Sequence, residues 1–263
     1  MIKDLILGTA IGYDWQDIKI FIKSLRNFNK CEVYLLVNEV NDKTKIKLKK
    51  YNIKIIKCNL EPLEFRFRYI YFSQFLKKNY KKFRYVFFTD VRDVFFQGNP
   101  FSNKIRNIEF FEEDNIIKNC KINSLWIKSS LGPKKYENYK NKNIVCSGTV
   151  IGKSFVILKY FQLMSKKVNK LKMKFSFKDF FLIRQIKYGL DQPACHDIVY
   201  SNIFKKQKIH SNIYGYIATV GHMKKLLFSR KGELINFKNK KYHVVHQYDR
   251  FINKFKKFIV RYS

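Results

Sequence analysis

The 263-residue chain is poor in proline (4) and glycine (10), and its acids are outnumbered, 20 Asp and Glu against 54 Lys and Arg. No Pro/Gly/Ser-rich stretch stands out as a linker, so the chain reads as one core, residues 1–250, with a C-terminal extension, 251–263. Cysteine is sparse as well. Cys31, Cys58, Cys120, Cys146 and Cys195 are odd in number, far apart and without a CxxC pair, which excludes a disulfide framework or a zinc knuckle and fits a reducing compartment. No apolar run approaches the roughly 18 residues of a membrane span. The opening MIKDLILGTAIG carries Asp4 and too short an apolar run for a signal peptide. The expectation is a cytoplasmic protein, free or peripheral on the cytosolic face of a membrane. Internal repeats, a GxxxxGK[ST] loop and a GxGxxG after the first strand are also missing, which argues against a P-loop enzyme or a dinucleotide oxidoreductase.

What the chain has is apolar mass. Hydrophobic residues make up 46% of it and aromatics 17%, enough to build an interior and too much for intrinsic disorder. The formal charge of +34 implies a field that attracts phosphates, nucleic acids or anionic lipid. Lysine is scattered alongside abundant Asn and Ile, so A/T-rich codon usage is an equal explanation of that charge.

The order of elements follows from periodicity. DLILGT (4–9) is a short buried strand, and DIKIFIKSLRNF repeats Ile18, Phe21, Ile22 and Leu25 at helical spacing. EVYLLVN (32–38) and IKIIKCN (53–59) are further strands around a short helix, DKTKIKLKKY. A βαβαβ order predicts an α/β fold, Rossmann-like, with a mainly parallel sheet covered by helices and ligands at the carboxyl ends of its strands. A helix over 64–80, a central strand over 83–90, a strand over 143–152 broken at Ser147-Gly148, a helix over 153–170, a helix opening near 190 and a strand ending near 245 complete the pattern.

In YVFFTDVRDVFFQGNP (85–100), Asp90 and Asp93 interrupt an otherwise apolar run. A buried carboxylate is costly unless it is paired or holds a cation. Residues three apart on a strand face opposite ways, so both acids reach one ion only if the chain turns between them. A hard divalent cation, Mn²⁺ or Mg²⁺, suits such a pair. Pairing with Arg92, or the capping of a turn, is the plainer alternative.

The string resembles the DxD region of GT-A glycosyltransferases, enzymes that use nucleotide-sugar donors. The resemblance extends to CSGTVIG, LDQPACHD and VVHQYDR, four motifs in order across roughly residues 1–250, and is to glycogenin-like and bacterial galactosyltransferase-like members. One departure is that Val91 stands where the family's first acid falls, if Asp93 matches the second. The resemblance implies a metal held by Asp90, Asp93 and His246, and a donor contacted by Thr9, Ala10, Tyr13, Arg68, Asp90, Ser147 and Gly148. Asp191 and Gln192 would then serve at the sugar or as the catalytic base. Each has a blander reading: packing for Tyr13, a solvated helix face for Arg68, a strand bulge for Ser147-Gly148, an N-cap for Asp191, a structural imidazole for His246. The implied reaction moves a sugar from a nucleoside-diphosphate donor to a hydroxyl of a glycan or lipid-linked acceptor.

The tail DRFINKFKKFIVRYS sets Phe251, Ile252, Phe255, Phe258 and Ile259 on one side among basic residues, predicting a basic amphipathic helix. It suits an anionic membrane surface or packing on its own domain; KKVNKLKMKFSFKDFF (166–181) allows the same choice. The competing class is a nucleic-acid-binding protein or metal-dependent nuclease. No zinc finger, RNP-like or helix-turn-helix motif accompanies the charge, so no specific nucleic acid is expected.

Overall fold

Period two divides the apolar strands between two cores. In a computed structural model describing residues 2–171 and 189–263, β1 (Lys3–Thr9) sends Leu5 and Leu7 to one face of the sheet and Ile6 to the other. The central strand β4 (Phe83–Thr89) does the same, with Val86 and Phe88 on one side and Phe87 on the other. Its unbroken apolarity is that of a strand covered on both faces.

The first half is built as predicted. Asp14 caps α1 (Trp15–Phe28) by accepting from Gln16 and Asp17 N–H groups, and Ile18, Phe21, Ile22 and Leu25 are its buried stripe. Then come β2 (Glu32–Val37), α2 (Asp42–Lys50), β3 (Lys54–Lys57) and α3 (Arg68–Asn79). The helix expected over 64–80 is two elements, because Pro62–Phe67 forms a 3₁₀ segment ahead of α3.

Beyond β4 the chain adds β5 (Val94–Phe96), β6 (Ile108–Ile116), α4 (Lys121–Leu131), α5 (Pro133–Tyr139), β7 (Asn143–Lys153), α6 (Ser154–Lys170) and α7 (Asp191–Tyr200). After these come β8 (Gln207–His210), β9 (Ile217–Thr219), β10 (Leu227–Phe228), β11 (Leu234–Ile235), β12 (Val244–His246) and α8 (Lys256–Tyr262). The main sheet has seven strands in the order β3-β2-β1-β4-β7-β6-β8. Its β3-β2-β1-β4 part is parallel, while β7 runs antiparallel to both β4 and β6. The result is an α/β fold with a mixed, mostly parallel sheet. β7 is one strand over Asn143–Lys153, but its register against β6 shifts between Val150 and Val145, across the Ser147-Gly148 break expected from the sequence, while its pairs with β4 run from Thr149 to Lys153.

Chain order reverses between β1 and β4: from β1 the chain moves outward to β2 and β3, then returns to the other side of β1. In open α/β sheets such a switch point, at the carboxyl ends of the strands, is where ligands bind. Thr9 and Asp90 stand there.

The predicted tail helix is confined to Lys256–Tyr262, after a 3₁₀ turn at Tyr248–Phe251. Its apolar side packs on the domain, with Phe258 stacked on Phe95 at 3.9 Å and Asn27 Nδ2 donating to the Tyr262 hydroxyl at 3.1 Å. Ile252 and Val260 remain exposed. Of the other basic amphipathic stretch, 166–181, residues 172–181 lie outside the described residues.

Candidate metal centre

Two registers bring the acids and the imidazole together. On one side, β5 starts directly after Asp93, and β12 pairs with it antiparallel, His246 opposite Val94, so the imidazole lands beside Asp93. On the other side, the Asp90 N–H donates to the Gly148 carbonyl at 2.9 Å, extending the β4–β7 ladder by one residue and fixing Asp90 over β7. Between the two acids the chain turns. Val91 points down into the core, only 1% exposed, against Gly8, where any Cβ would lie 2.4 Å from its Cγ1. Val91 is thus a core residue, and the turn around it lets Asp90 and Asp93 face the same point.

Among the described residues, Asp90, Asp93 and His246 form the group whose ligand atoms all lie within 4.8 Å of one another. His246 Nε2 is 3.5 Å from Asp90 Oδ2 and 3.6 Å from Asp93 Oδ1. Its other nitrogen, Nδ1, has Cys146 Sγ at 3.3 Å and Thr219 Oγ1 at 3.5 Å, contacts that aim Nε2 at the acids. A ring held on its far side in this way is characteristic of ligating histidines. At Gly148 a Cβ would sit 2.2 Å from Asp90 Oδ2 and 3.1 Å from His246 Cε1, so this glycine keeps the cradle open. Two carboxylates, one imidazole and that clearance fit a divalent cation, with the nitrogen ligand favouring Mn²⁺ over Mg²⁺.

Arg68, at the start of α3, organises the second layer. It is 1% exposed, not on a solvated face. Nη1 donates to Asp90 Oδ1 at 2.7 Å, leaving Oδ2 toward the centre, and Nη2 donates to Asp191 Oδ2 at 2.8 Å. The Tyr69 hydroxyl donates to the same Asp191 oxygen at 3.2 Å, and Ser147 Oγ lies 3.5 Å from it. Asp191 is therefore no N-cap: Leu190 holds that position without a side-chain bond, and the Asp191 carboxylate turns inward. Gln192 clamps α7 to β7, accepting from Ser147 N–H at 3.0 Å and donating to Val145 O at 2.7 Å.

The charges follow from these partners. Burial works against the Asp90 anion, but Arg68 and His246 outweigh it and hold its pKa below the usual value. Burial, reinforced by Asp90, raises Asp93 despite His246; burial likewise raises Asp191 against Arg68. For His246 burial is overcome by Cys146 and the two acids, which hold its pKa well above the ordinary value. Arg92, the alternative partner for the acids, instead pairs with Asp249 at 3.1 Å.

A cleft of about 330 Å³ opens beside the centre, with Arg68, Asp90, Ser147, Asp191 and Gln192 on one wall. Thr9 and Ala10 are each 1% exposed and do not line it. Tyr13 is half-buried near the acids, its phenol raised in pKa by burial and then by Asp90 and Asp93.

The other wall is made of residues that carry no motif in the sequence. Glu113, Cys120, Asn123, Trp126, His222 and Arg250 line it. So does Gln247, a non-glycine residue at φ +60°, where a Cβ on neighbouring Gly221 would meet its Oε1 at 1.9 Å. The exceptions are Gln247 and Arg250, which have a local signal as members of VVHQYDR.

Compared with known proteins, the chain matches no family model and no curated protein. Among the described residues no helix is long and apolar enough to cross a membrane.

Proposed function

We propose that the chain is a divalent-cation-dependent glycosyltransferase of the GT-A type, acting on a nucleoside-diphosphate sugar and the hydroxyl of a glycan or lipid-linked acceptor. The observation that carries this reading is the convergence of Asp90, Asp93 and His246 at the switch point of the sheet, next to a cleft whose near wall holds Asp191 and Gln192. Three of the four sequence motifs that resemble the family supply these same residues, and the fourth, CSGTVIG, supplies Ser147 and Gly148 beside them.

In this reading Asp90, Asp93 and His246 would hold Mn²⁺ or Mg²⁺. A bound cation there would neutralise charge on the diphosphate leaving group. Arg68 acts through others: by bonding Asp90 Oδ1 and Asp191 Oδ2 together it fixes the spacing between cation seat and sugar wall. Arg250, 67% exposed and lining the cleft, is a protein cation placed to meet phosphate oxygens. During transfer the acceptor oxygen bonds to the anomeric carbon, the bond from that carbon to the diphosphate breaks, and the acceptor proton leaves to a base. In this reading Asp191, a cleft-lining carboxylate whose pKa is raised by burial, would take that proton.

Titration calorimetry of UDP-, GDP-, CMP- and dTDP-sugars with and without Mn²⁺, on the wild type and on Asp93→Asn, tests the reading. Mn²⁺-dependent binding of one donor class, lost in the variant, is expected. A folded protein that binds none of them sinks the proposal. Strongly salt-dependent nucleic-acid binding in its place would favour a nuclease or nucleic-acid-binding protein.

A further inference from the structure

The far wall of the cleft carries a cluster that sugar transfer does not use. Cys120 occupies the N-cap position of α4, an 11-residue helix whose N-terminal dipole favours an anion. Asn123 Nδ2 donates to Cys120 Sγ at 3.3 Å. His222 lines the same wall, and its Nε2 lies 3.4 Å from Glu113 Oε2. A thiol, an imidazole and a carboxylate are thus brought from three separate elements to one cleft wall.

A second observation points to a ligand. The Asn123 side-chain carbonyl, on a residue only 6% exposed, has no hydrogen-bond partner among the described residues, although Asn123 lines the cleft. Arg68 Nε, on the same cleft, is likewise buried without a partner among the described residues. Both atoms are closed to solvent, so an adduct on Cys120 that carries amide N–H and carboxylate groups would meet the first with a donor and the second with an acceptor only as the cleft side chains shift to admit it.

We propose that Cys120 is a modification site that takes a low-molecular-weight peptide disulfide and forms a mixed disulfide inside the cleft. The Cys120 thiolate attacks one sulfur of the small disulfide, a new S–S bond forms, the old one breaks, and the released thiolate takes a proton from water. The small disulfide is itself the oxidant, so no further co-reactant is needed.

Electrostatics agree with the geometry. Burial alone would push the Cys120 thiol up, but hydrogen bonding from His222 and Asn123 brings it down to about 7. Cys120 first, and then Glu113, raise the His222 pKa against burial and Arg250, while burial raises Glu113 itself against His222, His246 and Arg250. The other cysteines differ: Cys58, Cys146 and Cys195 are buried, and burial pushes Cys31 up to about 12.

The test uses the full chain with oxidised glutathione as the probe, and the rate of mass addition at each cysteine read by peptide mass spectrometry. Against an ordinary thiol of pKa about 8.5, a pKa near 7 raises the thiolate fraction at neutral pH about 15-fold and lowers its intrinsic nucleophilicity about fivefold. A net advantage of about threefold over the same chain in urea is therefore expected at pH 7, with Cys120 modified first. The folded rate should level off just above pH 7, whereas the unfolded rate keeps climbing. His222→Asn should shift the levelling upward, and Cys120→Ser should remove the adduct. If Cys31 reacts first, or the folded wild-type rate at Cys120 climbs past pH 8 like the unfolded one, the proposal is overturned. The wild-type profile decides this even if the variants fail to fold, and mass addition stays readable whether or not a nucleotide sugar binds.

Discussion

At the scale of single residues, the candidate centre depends on an absence of atoms as much as on ligands. Gly148 is not at positive φ, so its conformation does not demand glycine; the 2.2 Å that would separate a Cβ there from Asp90 Oδ2 does. Gly148→Ala should weaken Mn²⁺ binding about 10- to 100-fold, the range seen when the surroundings of a metal site are disturbed, while circular dichroism stays native. Unchanged affinity would show that Asp90 does not ligate. His246 gives a second check. Burial lowers its pKa, but Cys146, Asp93 and Asp90 raise it well above the ordinary value, and an imidazole must lose its proton to ligate. Mn²⁺ affinity should therefore rise with pH, by up to about tenfold per unit while the proton is being displaced. A flat profile from pH 6 to 8 would remove His246 from the ligand set.

At the scale of elements, the helices behind the cleft are joined by one buried acid. Asp197 on α7 accepts from Lys135 Nζ at 2.7 Å and from the Tyr139 hydroxyl at 2.8 Å, both on α5, and from Lys167 on α6. Burial opposes its charge, but these donors bring its pKa down to about 2. A depressed carboxylate stabilises the fold above its unfolded pKa near 4, and that contribution disappears as pH falls through the folded value. Asp197→Asn should cost on the order of 2 kcal/mol at pH 7 in urea denaturation, with the gap to wild type closing toward pH 2. A gap that persists in acid would assign the loss to packing. Elements also mark what is legible in sequence. The strands at 4–9, 32–38 and 83–90 and the helix stripe Ile18, Phe21, Ile22 and Leu25 are readable because burial on one or both faces leaves a period. The direction of β7 is not, since a fully buried strand reads the same either way. Residues 108–139 give little signal at their helical end: α4 and α5 bury few side chains, among them Ile127 and Tyr139, and so display no clear stripe. The candidate triad of Asp90, Asp93 and His246 is legible through local strings, whereas Glu113, Cys120 and His222 are isolated in sequence and meet only through the fold.

At the scale of the whole molecule, the charge of +34 is the dominant fact left over once the site is accounted for. Among the described residues, exposed ion pairs such as Arg84 with Asp4 at 2.8 Å and Lys3 with Glu32 at 2.8 Å contribute little. With 54 cations and 20 acids, cations far outnumber the acids that could pair with them, and their mutual repulsion opposes the compact state. Added salt should act in two ways at once, weakening the few surface pairs and screening the many repulsions. Repulsion has the larger count, so Tm should rise by a few degrees between about 10 mM and 150 mM NaCl, where the Debye length contracts from roughly 30 to 8 Å. Differential scanning calorimetry at fixed pH reads this directly. A falling Tm would mean that paired charges outweigh repulsion and that the lysines are organised into networks. A rise that saturates early with a polyanion such as heparin, far below the ionic strength NaCl requires, would point to a concentrated basic surface, the arrangement a nucleic-acid partner demands and a scattered charge does not provide.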